Sequence, residues 1–267
     1  MLCVSLFLPA LQAQSYMDYI DRATRCEQQD SLEQAEKYYM QAIRLQAKSP
    51  QNALLYANVA RLQRLQNRMD DALTSYGYSL NRYPNNVKVL LDRAELLLEM
   101  GRERGALIDC STVLDIDSVN RNALLMRSYL YYKARRYQDA ETDYLRLLRK
   151  NETDSVASMG LAVLYQAWEK LPKAFEIWNR LIDRSPQDGM LYLCRAEVER
   201  MMKSYELALM DVDKAISLSN VNADTWVLRG DICMEMGKKS QAYESYQQAI
   251  QKGKTAIELK DRLKKSR

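Results

Sequence analysis

Alanine returns on a fixed beat along this chain: Ala35, Ala72, Ala106, Ala140, Ala174, Ala208 and Ala242, with one step of 37 residues and every later step of 34. A second small residue keeps the same time 12 positions earlier, as Ala23, Ala60, Ala94, Ser128, Ala162, Ala196 and Gly230. Self-similarity at such a period marks a chain of stacked supersecondary units. The most legible copy is Ala223 to Lys252, ADTWVLRGDICMEMGKKSQAYESYQQAIQK. Its apolar positions recur at three- and four-residue spacing through Trp226, Cys233 and Met236, then through Ala242, Tyr246, Ala249 and Ile250. Gly237 and the polar run Lys238, Lys239, Ser240 lie between them, so the copy reads as two amphipathic helices and a turn. Helices approach closely only where the residues at their crossing are small. A hairpin of this length cannot bury its apolar faces alone and must stack on a copy of itself. Repetition therefore overrides the length prior for 267 residues and predicts one elongated all-α domain.

The pattern resembles the tetratricopeptide repeat. That family's small residue in the first helix, alanine in the second and aromatic four residues later stand here as Ala60, Ala72 and Tyr76, as Ser128, Ala140 and Tyr144, and as Gly230, Ala242 and Tyr246. Its unit-closing proline is matched by Pro50, Pro84 and Pro186, and its leading tryptophan by Trp226, with Tyr19, Tyr56 and Tyr192 in that role elsewhere. Departures are Cys110 and Val212 at the second-helix aromatic, and Val113, Leu147 and Leu181 at a later small position. The resemblance covers residues 16–256 and implies a right-handed α-solenoid of helix-turn-helix units at 16–52, 53–86, 87–120, 121–154, 155–188, 189–222 and 223–256.

Composition narrows the function. A net charge of +4, with both signs interspersed, is too small for a nucleic-acid binder. The chain has no histidine, so Ser/His/Asp and Cys/His sites are excluded and the commonest metal ligand is missing. No GxxxxGK[ST], GxSxG or HExxH occurs. Cys3, Cys26, Cys110, Cys194 and Cys233 form no CxxC pair, which argues against a zinc or iron–sulfur site. The last four read as buried thiols, Cys26 and Cys233 holding the same inward position in the first and last units. The expectation is a protein with no catalytic residues, no cofactor and no metal.

Taken in order, Met1–Ala13 (MLCVSLFLPALQA) is an apolar run within a leading segment of residues 1–15. It resembles a signal peptide cut after Ala13, although its start lacks lysine or arginine, and it is too short to span a bilayer. Export to a bacterial periplasm or cell envelope is the expectation; a mis-assigned start or an apolar cap on the first repeat, in a cytoplasmic protein, is the alternative. In the first unit Asp30 and Ser31 read as turn and N-cap of a helix over 31–47, and the three extra residues read as one more helical turn. Asn67 and Gly101 suit turns needing positive φ, the fourth unit is rich in tyrosine (Tyr129, Tyr131, Tyr132, Tyr137, Tyr144), and Pro172 suits a helix start. Residues 257–267 read as a capping helix that covers the last unit with Ile257, Leu259 and Leu263 while Lys260, Arg262, Lys264, Lys265 and Arg267 face water.

The register also exposes a pairing. Arg93, Arg127 and Arg195 each precede an aspartate by 16 residues, Asp109, Asp143 and Asp211, whereas Leu161 and Ile177 hold both places in the fifth unit. An Arg–Asp bridge between the two helices of a unit, exchanged there for an apolar contact, is the expectation. Arg229 with Ser245, Arg22 with Tyr38 and Val59 with Ser75 depart from it.

In the tetratricopeptide family the first helix of each hairpin lines the inner wall. Carried onto this chain, that places Leu125, Tyr129, Tyr132, Val156, Met159, Val163, Met190, Leu193, Val227, Met201 and Met234 on or near a groove, flanked by Arg61, Arg64, Lys133, Arg200, Glu95, Glu99, Glu197 and Asp231. Methionine and tyrosine are adaptable contact residues suited to an extended or helical peptide. The competing reading is that Leu91, Leu125, Met159, Leu193 and Val227, which share one repeat position, simply pack helix on helix. The carboxylate-gripping set of chaperone adaptors is incomplete: Asn58 and Lys88 fit it, but Ile20, Thr24 and Asp92 do not. The expected function is a scaffold that binds a protein or peptide, a membrane-associated partner included. The alternative is a structural subunit whose groove is permanently occupied.

Overall fold

Every regular element in the computed structural model is a helix among the described residues, which are 4–218 and 222–267, with side chains from Ser15 onward. They run α1 (Val4–Gln28), α2 (Leu32–Leu45), α3 (Asn52–Leu65), α4 (Met69–Arg82), α5 (Val87–Glu99), α6 (Glu103–Ile116), α7 (Arg121–Lys133), α8 (Tyr137–Lys150), α9 (Ser155–Ala167), α10 (Leu171–Arg184), α11 (Gly189–Met201), α12 (Tyr205–Leu218), α13 (Ala223–Glu235), α14 (Lys239–Gln251) and α15 (Lys260–Lys265). The side chains of the expected leader, Met1–Ala13, lie outside the described residues. The period alone predicts a single domain, but the chain forms two compact units, Met1–Leu130 and Tyr131–Arg267, dividing within α7. Contacts in a repeat chain run mainly between neighbouring units, which allows such a division. In the first unit α1 packs on α2, α3 on α4 and α5 on α6; in the second, α9 packs on α10, α11 on α12 and α13 on α14.

The hairpins are built by a repeated turn. Asp30, Asn67, Gly101, Arg135, Glu169, Lys203 and Gly237 all have positive φ, between 55° and 74°. The next residue's N–H then reaches back five positions: Ser31 to the Cys26 carbonyl at 2.8 Å, Arg68 to Gln63 at 2.8 Å, Ser204 to Glu199 at 2.9 Å and Lys238 to Cys233 at 2.8 Å. This is the Schellman closure of a helix C-terminus. Asn67 and Gly101 suit it, whereas a lysine there carries the steric cost of a left-handed conformation. Lys203→Gly is expected to raise stability by up to about 1 kcal/mol, read as a higher urea midpoint at unchanged helix content.

The other end of the hairpin is equally regular. Side chains of Asn86, Asn120, Asp154, Asp188 and Asn222, again 34 apart, accept backbone N–H bonds from Val89, Ala123, Ala157, Met190 and Thr225 at 3.0–3.2 Å. Caps of this kind stabilise a helix start by about 1 kcal/mol each.

Asp30 and Ser31 are the turn and the N-cap of α2 as expected, the Ser31 carbonyl accepting from the Ala35 N–H at 3.0 Å while its side chain makes no capping bond. One expectation for the first unit is corrected. The three extra residues do not lengthen α2, which has 14 residues like α4. Two lie in the connection, 46–51 against 83–86 in the next hairpin, and one lengthens the start of α3, where the buried Asn52 side chain donates to the Gln46 carbonyl at 2.8 Å and accepts from the Tyr16 hydroxyl at 3.1 Å.

At the crossings Ala35, Ala72, Ala106, Ala140, Ala174, Ala208 and Ala242 are all 0% exposed, as are Ala23, Ala60, Ala94, Ser128, Ala162 and Ala196 opposite them. Gly230 allows a still closer approach: a Cβ there would stand 2.4 Å from the Tyr246 ring. Gly160 likewise leaves room for Tyr144, whose ring would lie 2.6 Å from an added Cβ.

The C-terminal cap is shorter than expected. Thr255 and Glu258 close a reciprocal capping box, with the Thr255 N–H donating to the carboxylate at 2.7 Å, and only Lys260–Lys265 are helical. Leu259 is buried and Leu263 packs beside it against Cys233, Ala242, Tyr246 and Ala249, but Ile257 is 86% exposed because it lies in the turn before the helix. Arg262 does not simply face water: it is held by Asp231 of α13 at 2.7 and 3.0 Å.

Candidate functional site

In the second unit exposed apolar side chains stand on the first helices α9 and α11, and also on the second helices at Leu145 of α8 and at Leu207 and Met210 of α12. Val156 and Met190 stand one residue past the helix start, and Val163 and Met201 follow near the helix middle and end; all are exposed, Met190 by 60%. Between α11 and α13 a cleft of about 650 Å³ opens, lined by Met190, Leu193, Cys194, Glu197, Thr225 and Leu228. Thus Met190 and Leu193, both expected in a groove, are brought to one concavity. Arg200 binds Glu197 on its own helix at 2.9 Å and Glu235 of α13 at 3.0 Å. The Met201 sulfur accepts from the Gln166 amide of α9 at 3.4 Å. These contacts join the three helices into one face.

The other expected residues are placed differently. Met159 and Tyr132 are half-buried, and Leu125 is half-buried beside exposed Tyr129 on the first unit's part of α7. Val227 and Met234 are half-buried against the core of the last hairpin, as Leu193 is against that of the preceding one. In the first unit the flanking charges satisfy one another: Arg61 pairs with Glu27, and Arg64 with Glu99 and with Glu95, the last at 3.2 Å.

The carboxylates Glu197 and Glu235 share Arg200, while Asp224 is paired by Lys254 and Asp231 by Arg262; Asp188, Glu197 and Asp224 are those that line the cleft. The cysteine reading needs one correction. Cys110 and Cys233 are buried, but Cys26 and Cys194 are only half-buried, Cys194 because it borders the cleft. Burial, with Asp188 and Glu197 nearby, pushes the Cys194 thiol pKa up, away from the reactive thiolate. No group of three potential metal-binding side chains forms, and no helix is long and apolar enough to cross a membrane, among the described residues.

On the second-helix side the arginine pairing takes shape. Arg93 grips Asp109 with two hydrogen bonds of 2.8 and 2.6 Å, and Arg195 grips Asp211 at 2.7 and 2.8 Å. The arginine also reaches 16 residues backward: Arg195 to Asn179 at 2.7 Å, and Arg229 to Asp213 at 2.7 Å as well as forward to Ser245 at 2.9 Å. Each clamps two successive second helices. Even Arg22 lies 6.0 Å from the Tyr38 ring centre, so this spacing carries a contact where no aspartate stands.

One buried charge escaped the sequence reading. Glu199 is 4% exposed, and one of its carboxylate oxygens has no hydrogen-bond partner. Burial, then the neighbouring Asp211 charge, push its pKa up to about 7, with Arg195 pulling the other way. A register comparison would have exposed it, since Gln63, Leu97, Tyr131, Tyr165 and Cys233 occupy the same repeat position.

Helical hairpins repeated at this period define a helical-repeat protein. Tetratricopeptide repeat family models match residues 125–189, and also 19–49 and 223–251. A crystal structure of a tetratricopeptide repeat protein from Parabacteroides merdae is 31% identical, with a TM-score of 0.72 over 95% of this chain and 99% of that one. The chain belongs to the tetratricopeptide repeat family, and its fold is that family's all-α solenoid. DnaJ homolog subfamily C member 3 of Rattus norvegicus is 28% identical over 102 residues, 38% of this chain, and the match spans only 20% of the rat protein's length. The fold also matches YrrB, described as a TPR protein with an unusual peptide-binding site, at 17% identity and a TM-score of 0.57, covering 76% of this chain and 97% of that one.

Proposed function

We propose that this chain is a non-enzymatic scaffold that holds a protein or peptide segment on the first-helix face of α9, α11 and α13. Proteins of this family generally bind protein or peptide partners, and YrrB's description names a peptide-binding site on the same fold. The observation that carries the reading here is the cleft beside exposed Met190, where Leu193 and Leu228 offer an apolar floor under a carboxylate rim. Such a site takes apolar anchor side chains from a segment that also carries basic residues. Export to a periplasm or cell envelope, and a membrane-associated partner there, belong to the same proposal; they rest on the apolar run Met1–Ala13.

A photo-crosslinking amino acid placed at Met190 or Val163 is expected to capture the partner, whereas the same probe at Lys214 on α12 does not. Equal capture from all three positions, or capture from Lys214 alone, overturns the assignment of this face. Met190→Lys is expected to weaken the captured complex about tenfold or more, since it removes an apolar anchor and sets a cation against the basic residues of the segment.

A further inference from the structure

We infer that the end of the molecule formed by α14 and α15 docks on an anionic lipid surface, because it gathers more cations than its carboxylates can pair, beside one isoleucine held out in solvent. Residues 236–267 hold nine lysines and arginines against three acids, so the net charge of +4 is concentrated here and the rest of the chain is nearly balanced. Pairing does not remove the surplus. The acids of α13 are taken up, Asp224 by Lys254, Asp231 by Arg262 and Glu235 by Arg200. Glu258 accepts from the Thr255 N–H and hydroxyl and lies 3.9 Å from Lys254. That leaves the exposed acids Glu244 and Asp261 against Lys238, Lys239, Lys260, Lys264 and Lys265, all exposed and none in an ion pair among the described residues.

The fold draws these cations to one side. Counted from Ile257, steps of three, four and three residues put Lys260, Lys264 and Arg267 along one flank of α15, while Leu259 and Leu263 pack inward. The Arg267 guanidinium lies 5.6 Å from the Tyr243 ring centre, and Lys239 stands one turn before Tyr243 on α14, so both helices contribute to the flank. Asp261 is the unpaired acid beside it. Ile257, at 86%, is the most exposed large apolar side chain among the described residues. The residue types select the partner. Lysine is a compact, mobile charge suited to a diffuse anionic surface, whereas recognition of individual phosphates or carboxylates favours arginine forks. No aromatic residue stands in 252–267 to stack on a base. An open isoleucine gains nothing on a phosphate backbone, but it is stabilised at the acyl boundary of a bilayer whose headgroups the lysines attract. This flank shares no residue with the peptide face proposed above and does not depend on it.

Sedimentation of the full chain with lipid vesicles tests the proposal. Binding is expected to phosphatidylcholine vesicles containing about 40% phosphatidylglycerol and not to phosphatidylcholine alone, and about 0.5 M salt is expected to weaken it at least about tenfold. Lys260→Gln with Lys264→Gln is expected to weaken binding about 25-fold, because each lysine near such a surface contributes about fivefold. Lys150→Gln with Lys214→Gln removes the same charge from exposed positions on α8 and α12 and is expected to change binding by less than about twofold. Ile257→Ser leaves the charge alone and is expected to weaken binding about tenfold. All three variants are at exposed positions and are expected to keep the parent circular dichroism spectrum. The proposal is overturned by no sedimentation with the anionic vesicles, by equal binding to neutral ones, by an equal loss in the Lys150 and Lys214 variant, by undiminished binding of Ile257→Ser, or by tighter binding of single-stranded DNA or polyglutamate.

Discussion

Arg195→Leu is expected to cost about 3–5 kcal/mol of stability, among the largest effects of any single change in the second unit. The Arg195 and Asp211 side chains are only 20% and 10% exposed, and the guanidinium is what balances Asp211 and buried Glu199. Removing it leaves two carboxylates in a poorly solvated site and also leaves the Asn179 amide oxygen without its 2.7 Å donor. The double change Arg195→Leu with Asp211→Ile is expected to recover most of the loss, because Leu161 and Ile177 already occupy these positions as a buried apolar pair in α9 and α10. Urea unfolding of the two single variants and the double variant measures the coupling directly. Additive losses would mean that the arginine and aspartate act independently.

Glu199→Gln is expected to stabilise the protein, and only in one pH range. The folded-state pKa of Glu199 is raised from an ordinary 4.5 to about 7, so the folded protein keeps a proton there that the unfolded chain releases. Its contribution to stability is therefore fully present below about pH 4.5 and is lost as pH rises toward 7. Glutamine keeps a neutral, hydrogen-bonding group in place at every pH. The variant should match the parent near pH 4.5 and exceed it by about 1–3 kcal/mol at pH 8. Parallel stability curves for the two proteins from pH 4.5 to 8 would show that Glu199 is not held neutral by its burial.

The repeating parts of this structure were legible because each repeats one steric demand. The alanine beat marks the crossings, and Leu161 and Ile177, both buried, stand at the repeat positions where Arg195 and Asp211 pair. Asn67 and Gly101 pointed to left-handed turns, but Arg135, Glu169 and Lys203 adopt the same geometry without advertising it, since the Schellman bonds impose it on whatever residue falls there. Features outside the period were harder to read. Two of the three extra residues went to the connection before α3 instead of a turn of α2, because Asn52 supplies side-chain bonds that no pattern encodes. At the candidate face, repeat position alone did not separate groove from core: Leu193, Val227 and Met234 are each half-buried against a hydrophobic cluster, whereas Met190 is 60% exposed.

The most direct test of the account is the equilibrium unfolding of Ala174→Leu. Ala174 is 0% exposed where α10 meets α9, opposite Ala162 at 0%. Three added carbon atoms there must force the helices apart, and the variant is predicted to lose about 1–3 kcal/mol while remaining helical by circular dichroism. Unfolding at the same urea concentration and with the same slope as the parent would contradict the claim that small residues at the crossings hold this chain together.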